Sequence, residues 1–524
     1  MDSDSKDRDD WKKFSDAKNA KMFVIGHPYF NKSLTLDVEN RLMHYFTGAP
    51  NISALHNRRT NPQNRYFTQE QFDEVFSSIW RQLRSYDKKL FPTERIIKDS
   101  ALFKASPFHK LTQEQIDAKR EIYEAIQFSL EREGTGHLIL VKGEAGAGKT
   151  VLLSSLFYEL FQDQQAQGDP FAFQDLDAYL LVNHDEQLTV YEAIARKLGL
   201  VKKNDNRVSR PTRFINNNSE EHPVDVVLVD EAHLLWTQGK QSYRGKNQLV
   251  DLMKRAKVVV AVFDENQILA ANQYWEPETQ AKLMSTQPRE ITLKNQMRMD
   301  AAPETVEWVR GIVDQQFVGT LNLNANGQDS ANFQVKVFDD PVELHEAVKE
   351  QASKVEHGLS RLLATFDWEY TSNHQGRTFT VDVGKLSLPW NKETERELNK
   401  TEKRAIANLA WAEQKHTVNE VGSTFTIQGF DLNFAGVIIG PSVKYRDGRV
   451  VFDPSASKNK SATNRRTLLD GSKLSVAERL LRNELNVLLT RGVHGLYIYA
   501  VDKELQRALK QATNPTYFTG SGDA

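Results

Sequence analysis

Cysteine is absent from this chain of 524 residues. Its absence excludes disulfide bonds, thiolate zinc sites and iron–sulfur clusters. Long apolar runs are absent as well, and no stretch approaches the length of an uninterrupted transmembrane helix. The first residues, MDSDSKDRDDWKKF, are charged where a secretory signal peptide would be apolar. We therefore predict a cytoplasmic protein that has no membrane partner.

The chain also lacks a strong net charge of either sign. Lysine and arginine number 68 against 70 aspartates and glutamates, which gives a net charge of −2. A small nucleic-acid-binding domain is usually more basic than this, but a large protein can confine its positive charge to one groove. The charge balance therefore neither indicates nor excludes a nucleic-acid partner. The length exceeds what one hydrophobic core supports, so we expect several domains.

The most informative segment is GEAGAGKT at residues 143–150, which has the G-x-x-x-x-G-K-[ST] pattern of a phosphate-binding loop. An apolar run precedes it and an apolar helical pattern follows it, which is the strand–loop–helix context that this motif requires. Backbone N–H groups of such a loop converge on an anion at the start of a helix. We expect Lys149 to reach the β- and γ-phosphates and the Thr150 hydroxyl to bind Mg²⁺. The predicted nucleotide-binding residues of this segment are Gly143, Glu144, Ala145, Gly146, Ala147, Gly148, Lys149, Thr150 and Val151.

Short apolar runs alternate with helical patterns from about residue 111 onwards, as expected for an α/β protein with parallel sheets. In the first alternation, strands are predicted at residues 138–141, 178–182, 224–229, 258–263 and 290–293. In the second, they are predicted at residues 334–338, 361–366, 437–439 and 496–500. Two polar stretches between these strands, at about 371–420 and 442–475, are predicted to be insertions or long loops.

Two carboxylates end the predicted strand at 224–229. Asp230 is placed to hold Mg²⁺ beside the phosphate loop, and Glu231 is placed to orient and deprotonate an attacking water. The next strand ends near Gln267, whose neutral amide is suited to contact both the γ-phosphate and that water. The strand after it leads to Arg298, whose guanidinium is suited to bidentate phosphate binding.

In this order, the segments resemble the motifs of superfamily 1 helicases. Residues 111–115 are similar to the Q motif, residues 261–267 to motif III and residues 293–298 to motif IV. Residues 422–431 (GSTFTIQGFD) are similar to motif V, and residues 486–492 (NVLLTRG) to motif VI. Residues 363–368, 427–440 and 482–499 are most similar to the Schlafen group 3-like DNA/RNA helicase domain family of bacteria. The resemblance covers about residues 111–505.

This resemblance implies two RecA-like P-loop NTPase domains with ATP bound between them. It implies that Gln115 contacts the adenine edge and that Asp431 lies near the ribose, where the family usually has a glutamate. It also implies that Arg491 is an arginine finger from the second domain. We accordingly predict an N-terminal mixed extension at 1–110, RecA-like domains at 111–300 and 301–510, and a flexible tail at 511–524.

The resulting hypothesis is an ATP-dependent DNA or RNA helicase or single-strand translocase. ATP and Mg²⁺ are the implied cofactors, and single-stranded DNA or RNA is the implied partner. Two alternatives stay open: an ATP-gated nucleic-acid-binding switch that does not unwind, and a P-loop ATPase that acts on protein partners. The N-terminal region carries no assignable motif and is a candidate surface for a protein partner.

Overall fold

A computed structural model describes residues 20–55, 66–143, 146–162, 176–202, 205–239, 243–294, 299–354, 358–371, 376–406, 409–468 and 471–513. The chain forms two compact units, one of Met1–Met43 with Arg59–Thr93 and the other of His44–Arg58 with Glu94–Ala524. No helix in the described part of the chain has the length and apolar character that a membrane span requires.

The helices of the described residues are, in chain order, α1 (Lys32–Gly48), α2 (Phe72–Tyr86), α3 (Glu94–Asp99), α4 (Ala101–Lys104), α5 (Gln113–Leu130), α6 (Lys149–Gln162), α7 (Asp185–Lys197), α8 (Pro211–Asn217), α9 (Gln248–Met253), α10 (Pro277–Met284), α11 (Pro303–Asp314), α12 (Pro341–Ser353), α13 (Lys400–Ile406), α14 (Thr424–Ile427), α15 (Lys460–Thr463), α16 (Ala477–Leu489) and α17 (Lys503–Thr513). Short 3₁₀ turns connect several of them. In the first unit, α2 buries Phe76 and Trp80 on one face, and the Trp80 indole donates to the Pro92 carbonyl at 2.9 Å.

The strands are β1 (His137–Gly143), β2 (Ala178–Val182), β3 (Val208–Ser209), β4 (Val224–Asp230), β5 (Ala256–Phe263), β6 (Arg289–Leu293), β7 (Gln334–Val337), β8 (Arg361–Ala364), β9 (Thr380–Val383), β10 (Leu386–Pro389), β11 (Val421–Gly422), β12 (Leu432–Ile439), β13 (Val443–Arg446), β14 (Arg449–Phe452), β15 (Arg466–Thr467), β16 (Lys473–Leu474) and β17 (Gly492–Ala500). All belong to the second compact unit.

Six of these strands form a parallel sheet in the order β3-β2-β4-β5-β1-β6. Its central strands are continuous apolar runs, and residues 226–229 of β4 and 258–261 of β5 are fully buried. Such runs are typical of parallel sheets with helices on both faces. Helix α5 packs on β1, β5 and β6, while α6 and α7 pack on the β2 side. We call residues 113–293, which contain this sheet, the first lobe.

A second parallel sheet has the order β11-β8-β12-β17-β7. Helix α12 packs on β8, β12 and β17, and α16 packs on β12. A large apolar core joins these strands to α11, α16 and α17. We call residues 303–513, which contain this sheet, the second lobe.

The predicted α/β fold class with parallel sheets is confirmed, and each of the nine predicted strands overlaps an observed one. The polar stretches predicted as loops also contain antiparallel hairpins, β9–β10 and β13–β14. The domain boundaries at residues 110, 300 and 510 stay a prediction. The N-terminal segment 94–112 belongs to the same compact unit as both sheets.

Candidate functional site

The glycine-rich loop lies between the carboxyl end of β1 and the start of α6. Gly146 and Gly148 have φ values of 90° and 72°, a left-handed backbone that glycine adopts without strain. Helix α6 begins at Lys149, directly after the second of them. Glycine at these two positions therefore allows the chain to turn from strand to helix around a small concave space.

Among the described residues, two acceptors hold the Lys149 ammonium. Its Nζ donates to the Gly143 carbonyl at 2.6 Å and to Asp264 Oδ2 at 3.2 Å. Asp264, after β5, also accepts from Gln267 Nε2 at 2.7 Å. Burial alone would raise the pKa of Asp264, but the nearby Lys149 ammonium, with His233 and the Gln267 amide, outweighs burial and holds that pKa below its usual value.

Asp230 is the last residue of β4, the second strand over from β1, and Glu231 follows it. Asp230 is only 1 % exposed, and burial followed by the adjacent Glu231 carboxylate raises its pKa. Glu231 has a left-handed backbone, with φ 49° and ψ 48°, although it is not a glycine. Residues in this conformation are strained and are concentrated at functional sites. Oε2 of Glu231 is buried without a hydrogen-bond partner, and His233 Nε2 lies 3.2 Å from it without hydrogen-bond geometry.

Two residues that the sequence analysis did not single out fix the Asp230 carboxylate. Gln187 Nε2 and the Tyr191 hydroxyl both donate to Oδ2, at 2.7 and 2.8 Å. The Glu231 backbone N–H donates to Oδ1 at 2.9 Å. Gln187 and Tyr191 are one turn apart in α7, whose start follows β2 beside β4. That i, i+4 spacing was readable in the sequence, but the pairing of β2 with β4 was not.

Gln115 contacts the loop, and both ends of its side-chain amide already form hydrogen bonds within the protein. Its Oε1 accepts from the Thr112 backbone N–H at 2.9 Å and completes a capping box at the start of α5. Its Nε2 donates to the carbonyls of Ala147 and Gly148, each at 3.5 Å. The contact with adenine that the resemblance implies stays a prediction.

The second lobe meets this site through Arg491, which lies between the end of α16 and the start of β17. Arg491 is fully buried, and its Nη2 donates to Gln267 Oε1 at 3.1 Å. Its other donors bind the carbonyls of Val487, at 2.9 Å, and Phe430, at 3.3 Å. Gln428 Nε2 adds a second bond across the lobes, to the Gln267 carbonyl at 3.3 Å.

A cavity of about 790 Å³ lies in front of these groups. The predicted site residues in its wall are Gln115, Gly146, Gly148, Lys149, Thr150, Val151, Glu231, Gln267 and Asp431. Asp230 and Arg491 lie behind this wall and do not line it. The wall also includes Lys98, Lys104 and Lys110 from the N-terminal segment 94–112, and none of these lysines is a predicted site residue. Lys104 Nζ donates to the Asp431 carbonyl at 3.4 Å, so this segment and the second lobe meet at the cavity.

Three predicted site residues, Glu144, Ala145 and Arg298, lie outside the described residues. Within the described ranges, no group of three or more histidine, aspartate or glutamate side chains is arranged to hold a metal ion. Mg²⁺ does not need such a group, because it is usually held by one or two protein ligands together with phosphates and water. A larger cavity, about 1260 Å³, opens at the amino ends of β1 and β6, away from the loop.

Aromatic side chains near the carboxyl ends of the second sheet differ widely in exposure. Trp390, which follows β10, is fully buried among apolar residues. Phe425 in α14, within the segment similar to motif V, is 53 % exposed. Its ring lies edge-on to Phe366, with 5.2 Å between centroids. Phe425 was not predicted as a site residue, because the sequence does not distinguish exposed aromatic rings from buried ones.

Residues 136–502 match the family described as Schlafen group 3, DNA/RNA helicase domain. The chain is 34 % identical over 398 residues to the uncharacterized protein YPL245W of Saccharomyces cerevisiae, which covers 71 % of this chain and 83 % of the yeast protein. It also aligns with a solved structure, S. cerevisiae Dbp5 bound to RNA and ADP BeF3, at 11 % identity and a TM-score of 0.33, over 78 % of this chain and 92 % of that one. On the first two matches, the chain belongs to the Schlafen group 3 DNA/RNA helicase domain family.

Proposed function

We propose that this protein is an ATP-dependent DNA or RNA helicase or single-strand translocase that hydrolyses ATP between its two lobes. The observation that carries the proposal is a continuous series of polar contacts from the phosphate loop to the second lobe. Lys149 binds Asp264 at 3.2 Å, Asp264 binds Gln267 at 2.7 Å and Gln267 binds Arg491 at 3.1 Å. Membership of a helicase domain family supports the same proposal.

The described residues fit a nucleoside triphosphate. The cavity volume of about 790 Å³ lies in the range of small-molecule sites. Gly146 and Gly148 curve the loop beneath it, and Lys149 and Thr150 line it. Lys149 is paired with Asp264, so an anionic phosphate and this carboxylate compete for one ammonium.

The residues also fit a magnesium ion that accompanies the nucleotide. Thr150, in the cavity wall, and Asp230, behind it, are the residues that would hold it. When bound, Mg²⁺ neutralises charge that develops on the phosphate oxygens. Gln187 Oε1, buried without a hydrogen-bond partner in the cavity wall, is a further oxygen acceptor beside Asp230.

In the proposed mechanism, each residue has one task. Lys149 exchanges Asp264 for phosphate oxygens, and Glu231 accepts a proton from the attacking water through its unpartnered Oε2. Gln267 lies between Lys149 and Arg491 and orients the water. Arg491 gives up its bond to Gln267 and donates to the phosphate oxygens as the transferred charge develops. Hydrolysis then depends on both lobes, and loss of the γ-phosphate returns Arg491 to Gln267, which links turnover to movement of the lobes.

The test is an ATPase titration with single-stranded DNA, single-stranded RNA and duplexes, each at two salt concentrations. The proposal predicts that a single strand accelerates hydrolysis at least several-fold and that the effect weakens with added salt. Unchanged turnover with every nucleic acid would contradict it and favour an ATPase with protein partners. A strand-displacement assay then separates an unwinding enzyme from a switch that binds without unwinding.

A further inference from the structure

Gln187 lies on α7 beside Asp230, in the wall of the cavity. Its side chain is only 5 % exposed, yet it forms part of the cavity wall beside Glu231 and Gly429. Its Nε2 donates to Asp230, and its Oε1 has no hydrogen-bond partner. An unsatisfied buried amide oxygen is costly, with a desolvation penalty of about 1–3 kcal/mol. A ligand in the cavity that donates a hydrogen bond would remove that penalty.

The surroundings restrict what that donor is. A Cβ built on Gly429 would lie 3.7 Å from Gln187 Oε1, so the backbone of the second lobe closes one side of the amide. Asp230 occupies its other end. The donor must therefore be small, and it must sit close to a carboxylate proposed to hold a metal ion. A water molecule in the shell of that ion meets both conditions, because Mg²⁺ keeps several of its waters when protein-bound.

We propose that Gln187 is a positioning residue for the metal ion: Nε2 fixes Asp230, and Oε1 accepts a hydrogen bond from a metal-held water. This inference rests on the proposed function, since it requires a nucleotide–metal complex in the cavity. Mutation of a residue that hydrogen-bonds to a metal ligand typically changes metal affinity by 10–100-fold. Gln187 should therefore determine how much Mg²⁺ strengthens nucleotide binding, while leaving metal-free binding nearly unchanged.

Tyr191 provides a matched control. Its hydroxyl donates to the same Oδ2 of Asp230, at 2.8 Å, and also to the Thr150 carbonyl, at 3.4 Å. Unlike Gln187, Tyr191 does not line the cavity. Tyr191→Phe thus removes one donor to Asp230 and no acceptor that faces the cavity. Gln187→Leu removes both amide groups at similar size, whereas Gln187→Glu keeps an oxygen acceptor at this position.

The experiment measures ADP affinity by isothermal titration calorimetry, in excess MgCl₂ and in excess EDTA, for the full chain and these variants. The quantity compared is the dissociation constant in EDTA divided by the dissociation constant in MgCl₂, which is larger the more Mg²⁺ strengthens binding. We expect Gln187→Leu to lower this ratio about tenfold. Tyr191→Phe, which removes one of the two side-chain donors to Asp230 Oδ2, should lower it by less, and Gln187→Glu, whose carboxylate still accepts a hydrogen bond, should not lower it.

The outcomes separate this inference from the proposed function. A wild-type ratio retained by a folded Gln187→Leu variant, or an equal loss in Tyr191→Phe, would overturn the role of Oε1. If the leucine variant does not fold, a tenfold loss in Gln187→Glu would overturn it instead. Wild-type protein that binds ADP under neither condition would contradict the proposed nucleotide site itself.

Discussion

Arg491 of the second lobe donates its Nη2–H to Oε1 of Gln267 in the first lobe, at 3.1 Å. The guanidinium has no exposed surface, and its Nε and Nη1 donate to two backbone carbonyls of its own lobe. The side chain is thus directed towards the first lobe but is separated from Lys149 by two residues. Gln267 and Asp264 fill the interval between these two cations.

The first prediction concerns Arg491→Lys, which keeps the positive charge but loses the planar set of donors. We expect turnover to fall about a thousandfold or more, since arginine fingers contribute about 10³–10⁵ in rate. ADP affinity should change little, because Arg491 lies behind the cavity wall. Single-turnover ATPase assays and ADP titrations measure the two effects.

Arg479→Lys, in the helix α16 that precedes Arg491, is the control. Arg479 binds Glu265 of the first lobe at 2.9 Å, but both side chains are well exposed, and exposed ion pairs contribute little. Near-normal turnover is expected there. Full turnover in Arg491→Lys, with Arg479→Lys also active, would refute the proposed role of Arg491.

The second prediction concerns Glu231→Gln. Oε2 of Glu231 has no hydrogen-bond partner, so the amide costs no existing hydrogen bond while it removes the proposed base. General bases contribute about 10²–10⁴ in rate, and turnover should fall by that factor. ATP binding should persist, and slow hydrolysis should prolong the complex with a single strand. A variant that hydrolyses ATP at the wild-type rate would remove Glu231 from the mechanism.

The third prediction concerns Phe425, an exposed aromatic ring that follows the carboxyl end of β11. Stacking of a base on an aromatic ring contributes about 1–3 kcal/mol, so Phe425→Ala should weaken binding of single-stranded DNA or RNA about 5- to 150-fold. Fluorescence anisotropy with a labelled oligonucleotide measures this. Phe128→Ala is the control, because Phe128 is 63 % exposed beside the cavity at the opposite ends of the first sheet. Equal effects of both substitutions would argue against a specific contact at Phe425.

The sequence predicted those features that depend on local pattern. The buried runs at residues 224–229 and 258–263 became the central strands β4 and β5, because a parallel sheet covered on both faces requires continuous apolar residues. The loop at 143–150 was recognisable because its glycines, lysine and threonine are adjacent in the chain. Strand order was not predictable, and so neither were the contacts of Gln187 and Tyr191 with Asp230.

Contacts between residues far apart in the chain were not predictable either, and Arg466 is an example. The sequence placed it in a polar insertion, where arginine is normally exposed. In the structure it is buried against the first lobe, with Glu276 Oε1 at 2.7 Å and the Thr237 carbonyl at 2.9 Å. These partners are some 190 and 229 positions away in the chain, and no local pattern links them.

The last prediction concerns a pair of buried carboxyl groups in the second lobe. Glu484 on α16 is 1 % exposed, and its Oε1 accepts from the Phe366 backbone N–H at 3.0 Å while Oε2 has no hydrogen-bond partner. Asp367 is the titratable group that faces it, and its Oδ1 also has no such partner. Burial, and then the Asp367 carboxylate, raises the pKa of Glu484 from 4.5 to about 8.

A raised carboxyl pKa makes the folded state bind a proton that the unfolded state has released. Stability therefore falls as the pH rises from about 4.5 towards 8, and below that window the two states are equally protonated. Glu484→Gln retains an acceptor for Phe366 and offers a donor to Asp367, so it should raise Tm by a few degrees near pH 8 and by much less near pH 5. Thermal unfolding at both pH values measures this, with the exposed Glu478→Gln on the same helix as control. A gain in Tm that is equal at the two pH values would mean that Glu484 ionises in the folded protein as it does in the unfolded chain.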